Sequence, residues 1–492
     1  MTAVIEHAPD VADPPVASRP QRRSWWVLPP LLLVAGLVNG WNLHGWPGRI
    51  NDDEGTYVDQ AWAMLDHGSL AHYTYWYDHP FLGWAIIAGY AGLTDGFARA
   101  PSGVMVGREV MLIAVLVSCA LLFLLARRLG FNRAWSAVAV ALFALSPLAV
   151  FFHRMVFLDN LATMFTIAAL AAAASPRRSV GAALYSAVWF AGAVLCKETA
   201  VILLPALVWL LVQHTDRRTR VWNLGLFGVT FAGLVASYPV FALLKNELVP
   251  GDGHVSLSWA LWWQLFGRSG SGSLLDPSSG TYALAHSWVD LDPYLLLAGV
   301  LLVLPAFFVK PLRPVALALL IQVVMMCRGG YLPFAYVIAM LPFAALLVAG
   351  VLSRLRLAFV AVPAALALLV VVPAWSTTMY AQSKTDGSAD SRAATKWVID
   401  HVPKDQVVVT DDYIWLDLKL AGFTSPVWLW KVDTDPAVME ETLPDGAASI
   451  DYVVLAPQAD STLSGLPTLR RAITESQPVE RFGDIEIRKV TR

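Results

Sequence analysis

Charged residues are scarce in this chain: Asp, Glu, Lys and Arg make up only 15% of its 492 residues, against ~25% in an average soluble domain. Hydrophobic residues reach 57%, so lipid is the main solvent for most of the sequence. The net charge of −2 and the dispersal of the basic residues, with no single stripe, argue against a nucleic-acid partner. Cysteine is rare as well: Cys119, Cys196 and Cys327 lie in or beside apolar segments, without zinc or redox spacing, and read as packing residues. No internal repeat is present. The apolar stretch after Arg22 and Arg23 lacks a convincing small-residue cleavage site, which makes it a retained first helix rather than a signal peptide. Residues 1–24, rich in Pro, Ala and charge, are expected to form a disordered cytoplasmic tail.

Long apolar runs dominate what remains. A helix of ~20 residues crosses the ~30 Å hydrocarbon core, and windows near that length fall at 25–44, 107–126, 134–151, 156–174, 179–195 and 199–213. Five more follow at 222–244, 293–309, 314–327, 333–350 and 357–375. The loops alternate in charge as cytoplasmic and external loops do. Arg22 and Arg23, then Arg127, Arg128 and Arg133, Arg177 and Arg178, Arg217, Arg218 and Arg220, Lys310 and Arg313, and finally Arg354 and Arg356 all fall on one side. The expectation is a polytopic α-helical membrane protein of about eleven transmembrane helices over residues 25–375, with external loops at 45–106 and 245–292. After residue 376, short β-rich runs such as 406–410 and 452–455 alternate with amphipathic stretches, which predicts a small C-terminal α/β domain outside the membrane.

The polar residues of interest gather in the external loops. Asn51 is followed by three consecutive acids, Asp52, Asp53 and Glu54. Each would cost about 2.5–3.5 kcal/mol at the centre of a membrane helix, so they belong at the membrane boundary or in a polar cavity. That external compartment holds no nucleotide-sugar and no ATP, so a synthetic reaction there needs an activated donor delivered through the bilayer. A sugar on a polyprenyl phosphate fits, because its leaving phosphate is a weak base and only the acceptor hydroxyl must lose a proton. A positioned Asp or Glu does that, while cations hold the departing phosphate. Lys197, Arg154 and Arg328 stand at external ends of spans, where such a phosphate would lie.

Five segments, in order, are similar to a known family. DDEGTYVDQAWAMLDHGSL (52–70) followed by YDHPFLGWAIIAGY (77–90) resembles the first external loop of GT-C glycosyltransferases of the protein O-mannosyltransferase and lipid A aminoarabinose transferase type. GREVMLIAVLVSCALLFLLARRLG, SPLAVFFHRMVFLDNLATMF, GAVLCKETAVILLPAL and CRGGYLPFAYVIAMLPFAALLVA resemble later segments of that family. Each motif is weak alone, and the order carries the signal. The resemblance spans roughly residues 25–350 and implies an inverting transfer from a polyprenyl-phosphate sugar, with no cofactor required. It makes Asp53 the general base, with Glu54 positioning the acceptor or donor, and it tilts Lys197 towards the donor phosphate. Asp52 as a third acid, and Lys-Glu where many relatives have Lys-Gly, depart from the family pattern.

Other residues carry two readings each. Tyr57, one turn beyond Asp53, suits sugar contact or an interfacial tyrosine belt. Asp78 and His79, before Pro80, suit the site or the cap of an amphipathic surface helix. Arg154 and Asp159, and likewise Lys197 and Glu198, suit donor binding or plain ion pairing, with Asp159 in a supporting role. Trp259, Trp262, Trp263 and Trp288 suit interfacial anchoring or a sugar platform. A divalent metal on Asp53, Glu54, His72 and His79 is a minor alternative. The expected partners are the lipid-linked sugar, the bilayer, and an envelope lipid, glycan or protein as acceptor. The Ala, Gly, Pro and Arg bias suggests a bacterial plasma membrane. The competing class is a transporter or flippase, against which stands the near absence of charge within the spans.

Overall fold

The computed structural model describes residues 25–46, 50–68, 77–251, 255–456 and 463–491. The expected tail and His72 lie outside the described residues. Apolar runs fold as helices wherever local chemistry lets them start and stop. The helix α1 (Leu28–Gly40) opens on two prolines at its first positions, where the missing N–H has no intrahelical partner to lose. Five helices are long and apolar enough to cross a membrane: Gly103–Arg128, Arg220–Leu244, Lys310–Cys327, Phe334–Leu352 and Ala365–Ser383. A sixth arises if Arg133–Leu145 and Pro147–His153, bent by 62°, form one span. That bend belongs to Pro147, which holds Ser146 in an extended conformation (φ −60, ψ 134).

The remaining apolar windows also become helical but shorter. Leu82–Thr94, Leu158–Ala173, Val180–Cys196 and Glu198–Gln213 join α1 at 10–17 residues, and the window at 293–309 divides into Leu295–Leu301 and Val303–Phe307. The latter break falls at the apolar Leu302, whereas another falls at a charged residue. Val180–Cys196 ends at Lys197, whose backbone is extended (φ −149, ψ 112), before the chain resumes as a 3-10 turn at Glu198.

The segment expected as the first external loop supplies α2 (Asp52–Asp66), α3 (Leu82–Thr94) and the short α4 (Gly96–Arg99), which lead into the long α5 (Gly103–Arg128). The expected amphipathic surface helix at 82–94 is instead apolar throughout, burying Gly83, Trp84, Ile87, Ala88 and Ala91. The C-terminal unit begins with the helix Ala389–His401 and carries a five-stranded mixed sheet in the order β2-β1-β3-β5-β4. Its strands are β1 (Val408–Thr410), β2 (Pro426–Trp428), β3 (Tyr452–Leu455), β4 (Ser476–Phe482) and β5 (Ile485–Val490). β1 pairs in parallel with β2 and β3, and β5 runs antiparallel to β3 and β4. The α/β character expected after residue 376 is therefore present.

This unit shares a core with the membrane helices. Tyr413, Trp415, Leu416 and Trp428 belong to the same apolar cluster as Tyr57, Val58 and Val110. The helix Asp412–Leu420 lies directly on α2, and the contact point is Gly55: a Cβ there would stand 2.2 Å from the Tyr413 backbone nitrogen. A glycine in the first turn of a helix is thus required by the close approach of another backbone. Gly55→Ala is expected to force the two helices apart, costing about 1–3 kcal/mol by overpacking. Gly225→Ala, with nothing within 4 Å, serves as control; thermal unfolding in detergent should show a lowered Tm for the first variant alone.

Candidate active site

The N-terminus of α2 is built by a capping box. Asn51 Oδ1 accepts from the Asp53 backbone N–H at 3.0 Å, and the Asn51 N–H donates to Glu54 Oε1 at 3.3 Å. Glu54 is fully buried and its carboxylate is occupied on both oxygens. Arg108 of α5 donates Nη2 to Oε1 and Nε to Oε2, each at 2.9 Å, and the Val156 N–H reaches Oε2 at 2.9 Å. Arg108 in turn donates to the carbonyls of Leu43 (3.1 Å) and His44 (2.9 Å). Glu54 is therefore a structural anchor and not an acceptor- or donor-positioning acid, because no lone pair of its carboxylate faces solvent.

Arg154 needs the same correction. Its guanidinium is buried, lies 4.1 Å from the centre of the Trp46 ring, and donates to the carbonyls of Asn39 (2.6 Å), Asn42 (2.8 Å) and Trp46 (2.8 Å). The cation is held by carbonyls at and just beyond the C-terminal end of α1, where a positive charge suits the helix dipole, and its N–H groups are spent there rather than on a donor phosphate.

Tyr57, Asp78, His79, Asp159, Lys197 and Glu198 do converge. Lys197, buried at its helix break, donates to His79 Nε2 at 2.7 Å and to Tyr57 Oη at 3.3 Å, and stands 3.6 Å from Asp159 Oδ2. His79 Nδ1 lies 2.9 Å from Glu198 Oε2. Since Nε2 accepts from the ammonium, the hydrogen-bond geometry places the ring proton on Nδ1, where it is donated to Glu198. Asp78 Oδ1 accepts from the His79 N–H at 2.9 Å and lies 3.5 Å from Gln60 Nε2. Tyr238 Oη fixes the same loop by donating to the His79 carbonyl at 3.0 Å. Burial alone would depress the Lys197 ammonium, but Asp159, Glu198, Asp53 and Asp78 together hold it above its ordinary value.

Asp53 stands at the edge of this network with its side chain exposed. Among the described residues no donor occupies its carboxylate. Its charge acts on Tyr57, Asp78, Asp159, Lys197 and Tyr331, so all five lie within electrostatic reach of it. Tyr331 brings a residue that the sequence did not single out. Arg268 lies 3.5 Å above the Tyr331 ring and 5.3 Å from that of Trp263, with Nη1 donating to Gln264 at 3.1 Å and no carboxylate partner among the described residues. The only signal for it was a basic residue in a long external loop. Arg328 acts electrostatically on Tyr336, which shares a small cavity with Asp159 and Lys197.

Asp52 opens to solvent from a recess, where desolvation and then the charge of Asp53 push its carboxyl up to about 6. It faces the C-terminal unit. Asp412 accepts from Thr56 Oγ1 and is raised by burial and then by Asp52. Asp59 accepts from Trp428 Nε1 at 3.0 Å and is raised by burial and then by Asp412. Asp417 caps α5 by accepting from the Gly103 N–H at 2.8 Å, and burial lifts it to about 7. The metal alternative finds poor support in these geometries: Glu54 is committed to Arg108, His79 to Lys197 and Glu198, and His72 lies outside the described residues.

A family model described as dolichyl-phosphate-mannose-protein mannosyltransferase matches residues 78–242. Among solved structures, the chain is similar to ArnT from Cupriavidus metallidurans bound to undecaprenyl phosphate, at a TM-score of 0.61 and 14% identity, covering 94% of this chain and 97% of that one. It is similar to the oligosaccharyltransferase AglB from Archaeoglobus fulgidus in complex with an inhibitory peptide and a dolichol-phosphate, at 0.57 and 13%, covering 96% and 75%. The arabinofuranosyltransferase AftD from Mycobacteria aligns at 0.53 and 17%, covering 97% of this chain and 42% of that one. A search of curated protein sequences finds no match.

Two outcomes follow from these contacts. Glu54→Ala leaves the Arg108 guanidinium buried without its counter-charge, at a cost of about 3–5 kcal/mol, and should appear as lost folded protein on size-exclusion chromatography rather than as altered substrate affinity. The raised acids at the α2 interface bind more protons folded than unfolded between their ordinary range near 3.8 and about 6 to 7. Their contribution is complete below the lower limit and is lost as pH rises through the upper one. Melting temperature should therefore fall from about pH 4 to about pH 7.5, and Asp417→Asn, which keeps an acceptor for Gly103, should flatten part of that fall.

Proposed function

The chain has the fold of the GT-C glycosyltransferases, and on that premise we propose that it moves a monosaccharide from a polyprenyl-phosphate donor to a hydroxyl of an envelope lipid, glycan or protein. The reading places the reaction at the outer face of a bacterial plasma membrane, with eleven crossings, the N-terminus in the cytoplasm and the C-terminal unit outside. The observation that carries it is one open carboxylate, Asp53, within electrostatic reach of the Lys197 ammonium and of Tyr331, the ring on which Arg268 stacks. Undecaprenyl phosphate and dolichol-phosphate in the structures of ArnT and AglB favour a lipid-phosphate donor.

In this reaction Asp53 takes the proton of the acceptor hydroxyl as its oxygen attacks the anomeric carbon from the side opposite the phosphate. A new glycosidic bond forms, the C1–O bond to phosphate breaks, and the electron pair leaves with the prenyl phosphate, so configuration inverts. No acid is needed at the leaving group and no cofactor enters the balance. The developing phosphate charge falls to cations near the chamber. Arg268 is the best placed, because its guanidinium has no carboxylate to give up. Lys197 contributes its field while Tyr57, His79 and Asp159 hold it in place, and Arg328 lies beside the adjoining cavity. Asp78 and Glu198 orient His79, and Asp52 supports Asp53 from the recess on its C-terminal-unit side.

Asp53→Asn should lower transfer by about 10²- to 10⁴-fold while undecaprenyl phosphate, followed by native mass spectrometry, binds as before. Turnover at the wild-type rate would remove Asp53 from the mechanism. Arg268→Ala should weaken that lipid by about tenfold or more, in line with the ~1.5–3 kcal/mol of a hydrogen bond to a charged group.

A further inference from the structure

The distal half of α2, α4 and the helices of the C-terminal unit enclose a second cavity of about 850 Å³, within the ~300–1,000 Å³ typical of ligand sites. It shares no lining residue with the Lys197 network. Trp62, nine residues beyond Asp53 and so about 14 Å further along the helix axis, forms one wall, and Phe97 adds a second aromatic surface.

Three polar atoms in the lining have no hydrogen-bond partner although they are buried: His44 Nε2, Ser102 Oγ and Arg392 Nη1. Buried polar groups are normally satisfied, and these three, closed to solvent in this conformation, are left unpaired behind the wall. The Ser102 case has a visible cause. This residue, 8% exposed, is the N-cap of α5, where a serine hydroxyl ordinarily takes a backbone N–H of the first turn. Here Asp417 reaches across from the C-terminal unit and takes the Gly103 N–H at 2.8 Å, while the Ser102 hydroxyl makes no capping bond. The cap is therefore borrowed from another domain, and the Ser102 hydroxyl is left without a capping role beside the cavity.

The lining defines the ligand. Asp66, Asp95, Asp400 and Asp417 accept hydrogen bonds, Arg392 and Lys396 donate them, and the two signs interleave. Such a wall discriminates against a strongly charged ligand of either sign and favours a neutral one with many hydroxyls. The aromatic surfaces suit the apolar faces of sugar rings. Asp417, lifted to about 7 by burial, is able to donate as well as accept near neutral pH.

We propose that this cavity is a saccharide subsite, holding the part of a glycan acceptor that lies a few sugar residues away from the hydroxyl glycosylated at Asp53. The proposal rests on the transferase reading above and deepens it, since it selects a glycan from among the possible acceptors and makes the C-terminal unit a reader of that glycan.

The test uses the full chain in detergent with linear arabinotriose, mannotriose and maltotriose, each beside its monosaccharide, followed by saturation-transfer NMR. At least one trisaccharide should bind the wild type more tightly than its monosaccharide. Ser102→Leu, which fills the cavity, should weaken it at least tenfold. Asp95→Asn, a mild change at a left-handed residue (φ 51) that Asn tolerates, should weaken it about threefold by removing an acceptor. Undecaprenyl phosphate binding, measured on the same samples, should be unchanged in both variants and so certifies that they are folded. If no trisaccharide binds, or if both variants bind it as the wild type does, the subsite is refuted while retained lipid binding leaves the transferase reading standing. If the trisaccharide binds through Ser102 and Asp95 but the wild type takes no undecaprenyl phosphate, the saccharide site survives and the donor assignment falls.

Discussion

The buried pair of Glu54 and Arg108 sets the geometry on which the candidate site depends. Neither side chain has any exposed surface, and together they tie three separate pieces of chain: the start of α2, the first turns of α5, and the segment after the Pro147 bend through the Val156 N–H. Arg108 adds the loop after α1 through the carbonyls of Leu43 and His44. A buried ion pair of this kind contributes little net stability against an apolar alternative, because desolving both ions offsets their attraction. Its effect is positional. Successive residues of a helix point about 100° apart, so anchoring Glu54 inward turns the neighbouring Asp53 outward to the exposed surface.

Breaks in helices distribute the cations. Lys197 interrupts one apolar run and Arg154 follows the end of another, and in both cases the chain leaves regular helix at the point where a charged group would otherwise enter hydrocarbon. Their fates differ because their surroundings differ. Arg154 meets carbonyls at and just beyond the end of α1, those of Asn39, Asn42 and Trp46, which its planar fork binds together. Lys197 meets His79, Tyr57 and a ring of carboxylates, which keep it charged and next to open space. One becomes a fastener and the other the centre of a polar network.

The C-terminal unit is built into the same core as α2 and α5 rather than appended to them. It packs on α2 at Gly55, one residue from Glu54 and two from Asp53, and it supplies the cap of α5 through Asp417. Acids from both sides of that interface, Asp52 and Asp59 against Asp412 and Asp417, influence one another's ionisation. Any displacement of the unit is therefore transmitted to the helix that carries the proposed base.

Local composition was sufficient to foresee the helical windows and the α/β tail, and the family resemblance pointed to Asp53, Tyr57, Asp78, His79, Asp159, Lys197 and Glu198. Transfer of side chains between water and lipid is a local, roughly additive property, so it can be read along the chain. The choice of partner is not. Glu54 and Arg154 look as available as Asp53 and Lys197 in sequence, yet backbone groups and an arginine tens of residues away consume them. Arg268 and Tyr331 come from two distant loops, and the reason for Gly55 lies more than three hundred residues downstream in Tyr413. The sequence by itself determined which segments avoid water and where charge is tolerated. Only the tertiary structure decided which charges are spent on holding the fold and which remain free for chemistry, because that depends on donors and acceptors meeting within about 3 Å across long chain separations.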